Sequence, residues 1–493
     1  MNGPTSLETE GDWDYLYVDG TWTRTPVDER IEVSNPYDLS HLTSVPAAGE
    51  EDVDQAVSAA RAAQPRWSEV PLEERQAYLD DLAKAIRSER PALASLLAIE
   101  AGTTTAWQMV EFEYARGILN WAADLNEERF EPTEHPSNFS GKRNFVERTP
   151  AGVVGVISPW NMPFFLAFRA IAPALAAGNT VVLKPAEDTP IIGGLAIAYL
   201  AESVDLPEGV LNVVPGTGAK AGAAVSGHPD VEVVSFTGSV EAGRSVASNA
   251  GEQLTEITLE LGGNAPYIVL PDAELERAIT VGTAGSFLHQ GQLCISINRH
   301  IVVEDRYEEY VEAMTDRVAS LQTGDPSDAS TIVGPLINES QRERVLGFID
   351  EAVEQGATIT TGGGHDGLIV EPTVLRDVDN EMPVACNEHF GPVVPIIPAE
   401  DVDAAIEIAN DTTHRLSSAV MGGDVAEARS VADRLRFGMT HVNDIPIHDE
   451  PDMPFGGIED AGIGRVNGDW ILDHVTEVRW ISEQHEPRDY LVF

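Results

Sequence analysis

Residues 153–184 read VVGVISPWNMPFFLAFRAIAPALAAGNTVVLK, and this stretch decides the fold class. An apolar, β-branched run at Val153–Ile157 predicts a buried strand, and a second run at Thr180–Lys184 predicts its neighbour. Between them, Phe164–Ala177 has the length and composition of a helix, and Gly178 is a suitable C-terminal cap. A strand, a crossover helix and a second strand predict a parallel sheet.

The alternation of strand and helix continues on both sides of this unit. Strands are predicted upstream at Tyr15–Val18 and Arg30–Val33, and four helices occupy much of residues 50–125. A second alternating series begins near Leu261 and runs to about residue 470, so two sheets with helices on both faces are expected. The remaining elements predicted before residue 260 are Thr189–Val204 (helix), Leu211–Val214 (strand), Ala219–Ser226 (helix), Val231–Phe236 (strand) and Glu241–Ala250 (helix).

Length and composition bound the class of protein. With 493 residues the chain is too long for one ordinary core, so two or more domains are expected. Two cysteines exclude a disulfide scaffold. No uncharged apolar run reaches the roughly 18 to 20 residues that span a bilayer, and the acidic N-terminus lacks the order of a signal peptide. These features predict a soluble cytoplasmic protein without a membrane partner.

The net charge of -50 comes from 81 acidic and 31 basic residues. Such a field repels the phosphates of nucleic acids and anionic membranes, so no nucleic-acid partner is expected. The acidic residues are spread over the whole chain, whereas an acidic interaction tail would cluster them. This distribution favours a halophilic cytoplasmic protein, because salt near 1 M shortens the Debye length to about 3 Å.

A candidate nucleophile ends the stretch FLHQGQLC, Phe287–Cys294. The thiolate form of cysteine is the nucleophile, and Gly291 in the turn before Cys294 allows close approach of backbone and substrate. The only other cysteine is Cys386. A free cysteine is also common as a small buried hydrophobe, so this pattern alone leaves both interpretations open.

A candidate base lies upstream in TEITLELGGN, Thr255–Asn264. Ile257, Leu259 and Leu261 share one face of a predicted strand, and Glu260 lies on the other face. Glu260 is therefore at the end of a strand, just before two glycines, where α/β proteins expose catalytic groups. A solvated strand carboxylate is the alternative interpretation.

Together, the segments around Glu260 and Cys294 resemble the NAD(P)-dependent aldehyde dehydrogenase superfamily over roughly residues 15–485. Other motifs of the family recur in its order, at Pro159–Pro163, Leu183–Glu187, Phe236–Ser239, Glu388–Pro392 and Pro454–Gly457. Within the family, three motifs resemble those of the benzaldehyde, vanillin and salicylaldehyde dehydrogenase branch. They are His289–Cys294, Asn298–Arg299 and His448–Pro451.

The resemblance implies an α/β fold with two parallel-sheet domains and a small β extension. Residues 1–127 and 148–258 would form the NAD-binding domain, and residues 259–475 the catalytic domain. Residues 128–147 and 476–493 would form an extension that pairs with itself and with another subunit. A homo-oligomer, either a dimer or a tetramer, is therefore expected.

The resemblance also implies a mechanism and no metal. Cys294 would attack the aldehyde carbon, and the oxyanion would take hydrogen bonds from the Asn161 amide and the Cys294 backbone N–H. The thiohemiacetal would lose hydride to the nicotinamide and leave a thioester. Glu260 would act as the general base for thioester hydrolysis. No His/Cys cluster has the spacing of metal ligands.

The G-x-G-x-x-G dinucleotide fingerprint is absent, but Gly238 and Gly243 bracket a G-x-x-x-x-G between a strand and a helix, where free amides hold pyrophosphate. A carboxylate at the adenosine ribose accepts hydroxyls and repels a 2′-phosphate, which favours NAD with NADP still possible. The resemblance assigns cofactor contacts to Ser239 (pyrophosphate), Gly218 (adenine side), Lys184 and Glu187 (adenosine ribose), Glu388 (nicotinamide ribose), Phe390 (nicotinamide ring) and Trp160.

The substrate pocket is expected to be apolar, formed by Phe165, Leu288, Ile295 and Phe455. Arg169 lies where succinic semialdehyde dehydrogenases hold a carboxylate, but Leu288 stands where they have a second arginine. An aromatic aldehyde is favoured, and a semialdehyde or a non-catalytic relative remains an alternative. A CoA-acylating relative would not need Glu260, and a cysteine hydrolase would leave the nucleotide motifs unexplained.

We expect both activity and melting temperature to rise as KCl increases from about 0.1 M to above roughly 1 M, the range over which the Debye length falls from about 10 Å to about 3 Å. The reason is that the folded chain holds 50 excess negative charges closer together than the unfolded chain does. Thermal melts across a KCl series, with NaCl as the control for cation identity, measure the effect. A midpoint that is flat or falls above about 0.15 M would exclude the halophilic interpretation.

Overall fold

The computed structural model describes residues 3–4, 6–7, 11–25, 29–488 and 490. The outermost limits of the expected NAD-binding domain and of the expected extension lie outside the described residues. Within the described part of the chain, no helix has both the length and the apolar character needed to span a membrane. Its α-helices are Glu50–Ser68, Leu72–Ser88, Arg90–Ala101, Thr105–Ala123, Pro163–Ala176, Ala196–Ser203, Ala223–Ser226, Val240–Gln253, Leu275–Phe287, Glu304–Ala319, Glu339–Glu354, Pro383–Cys386, Val402–Asn410, Val425–Ala432 and Gly468–Val475.

The first sheet has eight strands, and five adjacent strands at its centre are parallel. The strands Val153–Ile157 and Thr180–Lys184 have the predicted bounds and lie side by side in parallel. In spatial order the strands are Thr21–Thr23, Leu16–Val18, Leu211–Val213, Thr180–Lys184, Val153–Ile157, Val233–Thr237, Glu256–Glu260 and Gly462–Ile463.

The second sheet has seven strands, of which all but one edge strand run parallel to their neighbours. The alternation predicted after Leu261 therefore forms a sheet of its own, and the fold is α/β. In spatial order its strands are Thr358–Thr361, Thr373–Arg376, Val393–Ala399, Ile297–Val303, Ala265–Val269, Ser417–Met421 and Met439–Val442.

The helix Pro163–Ala176 is buried along its whole length, which explains why its sequence is apolar on every side. It packs against the helix Thr105–Ala123. From that helix the buried carboxylate of Glu111 accepts hydrogen bonds from the backbone N–H groups of Phe164 (2.9 Å) and Phe165 (3.3 Å). These bonds satisfy donors that the first turn of a helix leaves unpaired, and they fix the helix that follows Asn161.

Two predicted helices are not continuous α-helices, because each contains a π-helical turn. The predicted helix Ala219–Ser226 consists of the π-helical turn Gly218–Gly222 and the α-helix Ala223–Ser226. Thr189–Val204 is not one continuous α-helix: a π-helical turn, Ile191–Leu195, precedes Ala196–Ser203. The buried carboxylate of Glu100 accepts the N–H groups of Ile191 (2.8 Å) and Ile192 (2.6 Å) at its start.

No individual strand was predicted within residues 131–143 of the expected extension. They contain the strand Thr133–His135, whose three residues are all exposed. No apolar alternation marks this strand, because pairing with Lys142–Pro150 alone defines it.

The strand Thr476–Gln484 pairs antiparallel with Lys142–Pro150 along its full length, so the tail packs on the segment that the sequence associates with it. These two strands and Thr133–His135 form a three-stranded sheet apart from the two large ones. Its tail strand leaves Val478 63% exposed and Trp480 66% exposed. Large apolar side chains with such exposure are typical of a surface that binds another protein.

Candidate active site

A cavity of about 160 Å³ lies at the carboxyl ends of three adjacent parallel strands of the first sheet. Strands Val153–Ile157, Val233–Thr237 and Glu256–Glu260 each end at it, which is where parallel sheets place ligands. The cavity brings together eight of the predicted site residues: Trp160, Asn161, Gly238, Ser239, Glu260, Cys294, Glu388 and Phe390. Its lining also includes Pro159, Thr237, Leu261, Gly262, Gln341 and Arg344, of which Gln341 and Arg344 were not predicted.

The loop that precedes Cys294 has an unusual backbone. His289, Gln290 and Gly291 have φ values of +49°, +58° and +73°, all in the left-handed region. A Cβ on Gly291 would lie 2.2 Å from the carbonyl oxygen of Gly391, so only glycine fits there. Strained segments of this kind persist only where the surroundings hold them.

Two glutamines that the sequence analysis did not single out hold this loop. The side-chain Nε2 of Gln290 donates to the carbonyl oxygens of Gly102 (2.9 Å) and Pro335 (3.0 Å). The side-chain Oε1 of Gln292 accepts the N–H of Ile337 at 3.0 Å. Both glutamines are fully buried, and buried amides are normally hydrogen-bonded. In the sequence, the signal that could have predicted these hydrogen bonds is the pair of glutamines on either side of Gly291.

Asn161 contacts the same loop. Its side-chain Nδ2 donates to the carbonyl oxygen of Gln292 at 2.9 Å, and the residue is 5% exposed. An amide nitrogen has two N–H groups, so this bond orients Asn161 and leaves a second donor. That geometry suits a group that must donate to an oxygen close to Cys294.

Cys294 is half-buried at the cavity wall. Burial, assisted by the negative charge of Glu388, raises the pKa of its thiol to about 12, while Arg169 opposes the rise. The resting residue is therefore a neutral thiol, and its reaction as a nucleophile needs a base. Glu260 lines the same cavity.

Glu260 is 4% exposed, and neither of its carboxylate oxygens has a hydrogen-bond partner among the described residues. Burial raises the pKa of Glu260 to about 8, against the opposing charges of Arg169 and Arg465. Burying a carboxylate without a hydrogen-bond partner costs free energy, so its presence here indicates a functional role. A pKa close to neutral suits a general base. The interpretation of Glu260 as a solvated surface carboxylate is therefore wrong.

The predicted pyrophosphate segment lies at the start of the helix Val240–Gln253. The Ser239 side chain accepts the N–H of Ala242 at 3.3 Å and caps this helix. A Cβ on Gly243 would lie 2.4 Å from a methyl carbon of Leu261, so glycine allows the helix to pack closely on the strand end. A capped helix N-terminus at a strand end is a suitable site for a phosphate.

The residues predicted for the nicotinamide side lie across the cavity. Glu388 accepts the N–H of Gly263 at 3.1 Å, and burial raises its pKa to about 7. Phe390 packs edge-to-face against Trp160 with ring centroids 5.4 Å apart. A carboxylate for ribose hydroxyls and two aromatic rings for a planar heterocycle together fit a nicotinamide nucleoside.

Lys184, Glu187 and Gly218 lie outside the cavity lining. Glu187 accepts the N–H of Gly218 at 2.5 Å, which brings these two residues together. Lys184 is 4% exposed at the end of its strand, and burial lowers its pKa to about 8 while Glu187 opposes the shift. A buried ammonium beside a carboxylate at a strand end fits a polar ligand such as the adenosine ribose.

The predicted apolar substrate residues all belong to, or pack against, the large hydrophobic core next to the first sheet. Phe165, Ile295 and Phe455 are buried in it, and Leu288 and Cys294 pack against it. None of the four apolar residues lines the cavity described above.

Arg169 contacts two of these rings, with its guanidinium carbon 5.5 Å from the centroid of Phe165 and 4.5 Å from that of Phe455. Its Nη1 donates to Oδ2 of Asp449 at 3.1 Å. The sequence did not predict Asp449 as the partner of Arg169, because the two residues are 280 positions apart. The motif that contains Asp449, His448–Pro451, was noted only for its resemblance to the family.

Comparison with known proteins gives the same family from the sequence and from the structure. Residues 22–481 match the Aldehyde dehydrogenase family. The chain is 41% identical to a benzaldehyde dehydrogenase of Bacillus subtilis, over 96% of this chain and 98% of that protein. It is 40% identical to a vanillin dehydrogenase of Corynebacterium glutamicum, over 94% and 96% of the two chains. A crystal structure of Staphylococcus aureus betaine aldehyde dehydrogenase in complex with NAD+ matches with a TM-score of 0.94 and 32% identity, over 98% of this chain and 96% of that one.

Replacement of Gly291 by alanine should destabilise the loop before Cys294. Left-handed backbone and a Cβ 2.2 Å from the Gly391 carbonyl oxygen together predict a loss of at least about 1–3 kcal/mol. Gly251→Ala is the matched control, since a Cβ there meets nothing within 4 Å and the residue lies in a helix. The control should leave stability unchanged or raise it by up to about 1 kcal/mol. Equal melting temperatures for both variants would contradict the constraint.

Proposed function

The chain belongs to the aldehyde dehydrogenase family, and we propose that this NAD-dependent enzyme oxidises aromatic aldehydes to carboxylic acids through a thioester on Cys294. The observation that supports it is the meeting of three groups at one cavity: Cys294, the Asn161 amide and the Glu260 carboxylate. A nucleophile, an oxyanion donor and a base are what aldehyde oxidation through a thioester requires.

The first steps follow from the site geometry. Cys294 loses its proton and attacks the aldehyde carbon. The Asn161 amide, oriented by the Gln292 carbonyl oxygen, donates to the developing oxyanion together with the Cys294 backbone N–H. NAD, when bound, accepts the hydride that leaves as the thiohemiacetal collapses to the thioester.

Glu260 acts on either side of hydride transfer. Its carboxylate takes a proton from the water that attacks the thioester, and the acid is released as Cys294 leaves. Since burial raises the pKa of the Cys294 thiol to about 12, the same base also assists its ionisation. Because both oxygens of Glu260 lack hydrogen-bond partners among the described residues, the carboxylate is available for both tasks.

An aromatic substrate is proposed because the rings of Phe165 and Phe455 both lie within 5.5 Å of the Arg169 guanidinium carbon, in the hydrophobic core against which Cys294 packs. The relatives named as benzaldehyde and vanillin dehydrogenases support the same class. A semialdehyde substrate is disfavoured, since Arg169, the arginine at the position that the resemblance associates with a substrate carboxylate, already has Asp449 as its carboxylate partner. A non-catalytic role is disfavoured because nucleophile, donor and base are all present.

The cofactor preference is proposed to be NAD over NADP. Glu187 is bound to the backbone of Gly218, so its negative charge lies where the resemblance places the adenosine ribose. A 2′-phosphate would be repelled there, whereas ribose hydroxyls can donate to the carboxylate. In this proposal the first sheet, with residues 1–127 and 148–258, binds NAD, and residues 259–475 supply Cys294.

We also propose that the chain is a homo-oligomer that pairs through the extension expected at residues 128–147 and 476–493, by way of the sheet of Thr133–His135, Lys142–Pro150 and Thr476–Gln484. The exposed side chains of Val478 and Trp480 support this, because a second copy would cover them. A halophilic, cytoplasmic setting is proposed from the net charge of -50, which concentrated salt would screen.

Cys294→Ala should reduce kcat for benzaldehyde by roughly 10³-fold or more, because the covalent route is lost. Cys386→Ala is the control: this exposed thiol lies outside the cavity and its variant should keep most of the activity. NADH formation followed at 340 nm measures both. An active Cys294 variant with an inactive Cys386 variant would refute the assignment of the nucleophile.

Glu260→Gln should leave a burst of NADH equal to one per active site and slow the steady state by roughly 10²- to 10⁴-fold, the usual contribution of a general base. In the unmodified enzyme, hydrolysis-limited turnover should rise as pH increases through about 8, since burial raises the pKa of Glu260 to about 8 and the deprotonated form is the active base. The variant should lack this rise. An unchanged steady-state rate would remove Glu260 from the mechanism.

A further inference from the structure

The pair formed by Arg169 and Asp449 is almost completely buried. Nη1 of Arg169 lies 3.1 Å from Oδ2 of Asp449, and the two side chains are 4% and 6% exposed. The rings of Phe165 and Phe455 both lie against the guanidinium, with centroids 5.5 Å and 4.5 Å from its carbon. The mechanism described above uses neither charge, although burying two ions is expensive in free energy. Such a pair calls for an explanation other than stability.

Arg169 lies close to the reacting groups. Its guanidinium carbon is 4.5 Å from the ring centroid of Phe455, and a Cβ on the next residue, Gly456, would lie 3.0 Å from Oε1 of Glu260. Its positive charge opposes the rise that burial causes in the pKa of Glu260 and of Cys294. Helix Pro163–Ala176 places it one turn beyond Phe165, on the same face. A buried guanidinium next to a substrate pocket is a binding site for a carboxylate, because its planar N–H groups match the two oxygens.

Asp449 already occupies that role. We propose that Asp449 is a specificity-determining residue: by neutralising Arg169, it makes the pocket select aldehydes without a charge at their far end over aldehydes that have a distal carboxylate. This inference rests on the proposed function and names its substrate class more narrowly. A substrate carboxylate entering here would lose its water and find the guanidinium paired with another carboxylate.

The surrounding hydrogen bonds show that Asp449 is held in place before any substrate arrives. Nδ2 of Asn467 donates to its second oxygen, Oδ1, at 2.5 Å and also to the carbonyl oxygen of Glu450 at 3.2 Å. The N–H of Gly468 donates to the carbonyl oxygen of Pro451 at 2.7 Å. Both oxygens of Asp449 therefore accept hydrogen bonds, and the carbonyl oxygens of the two residues that follow it accept hydrogen bonds from Asn467 and Gly468.

The overall negative charge of the protein also disfavours anionic substrates, so the test must separate the two effects. 4-Formylbenzoate and methyl 4-formylbenzoate have closely similar shapes and differ by one charge. In 2 M KCl, where the Debye length is below about 3 Å, the protein-wide field is screened and the buried pair is not. The unmodified holoenzyme with NAD should have a kcat/KM for the ester at least roughly 10-fold above that for the acid. Equal values would overturn the proposal.

Asp449→Asn should reverse this preference by freeing the guanidinium. The ratio of kcat/KM for acid to that for ester should rise roughly 10- to 100-fold, the worth of one charge-assisted hydrogen bond. The double variant Arg169→Gln/Asp449→Asn removes both charges and keeps polar side chains at both positions, and its ratio should not rise in this way. A rise in both variants would mean that a looser pocket is responsible, and no rise in the single variant would exclude Asp449; either result overturns the proposal.

The same assays distinguish the failure of this inference from that of the proposed function. Absence of benzaldehyde oxidation by the unmodified enzyme would refute the aromatic substrate. The charge test would then use succinic semialdehyde and its methyl ester, which differ by the same carboxylate. If removal of Asp449 prevents folding, the acid-to-ester ratio of the unmodified enzyme can still overturn the proposal, because equal kcat/KM values would exclude selection against a distal carboxylate.

Discussion

The backbone at Gly262–Gly263 is the constraint on which the site depends. Here the chain leaves the last parallel strand of the first sheet, at Glu260, and enters the second sheet at Ala265. A Cβ on Gly263 would lie 2.2 Å from the Cys294 carbonyl oxygen, and one on Gly262 would lie 2.5 Å from a carboxylate oxygen of Glu388. Only glycine allows this approach, so the crossing between the sheets also sets the distance between base, nucleophile and cofactor site.

Burial of carboxylates is a second recurring feature, and hydrogen bonding separates structural carboxylates from the proposed catalytic one. Burial raises the pKa of Glu100, Glu111 and Glu260 to about 8 in each case. Glu100 and Glu111 each accept two backbone N–H groups at the start of a helical segment. Glu260 has no partner among the described residues and borders a cavity. A raised pKa alone therefore does not identify the base; an unpartnered carboxylate at a cavity does.

The sequence predicts features that depend on neighbouring residues and misses those that depend on distant ones. Val153–Ile157 was predicted with its bounds because its apolar, β-branched residues report burial directly. The exposed strand Thr133–His135 was missed because only its pairing defines it. In the site, Cys294 and Glu260 could be predicted from motifs, but the Arg169–Asp449 pair could not, since nothing in either segment indicates a partner 280 residues away.

The buried pair and the acidic surface act on substrate charge over different distances. At low ionic strength a net charge of -50 would repel any anionic aldehyde before it reached the pocket. Salt near 1 M confines surface fields to about 3 Å, so an enzyme adapted to such salt loses that discrimination. A buried pair is screened far less, because ions and water do not enter between its members. Selection against distal carboxylates would then have to be built into the pocket, and Asp449 beside Arg169 is where this chain has the charges to do so.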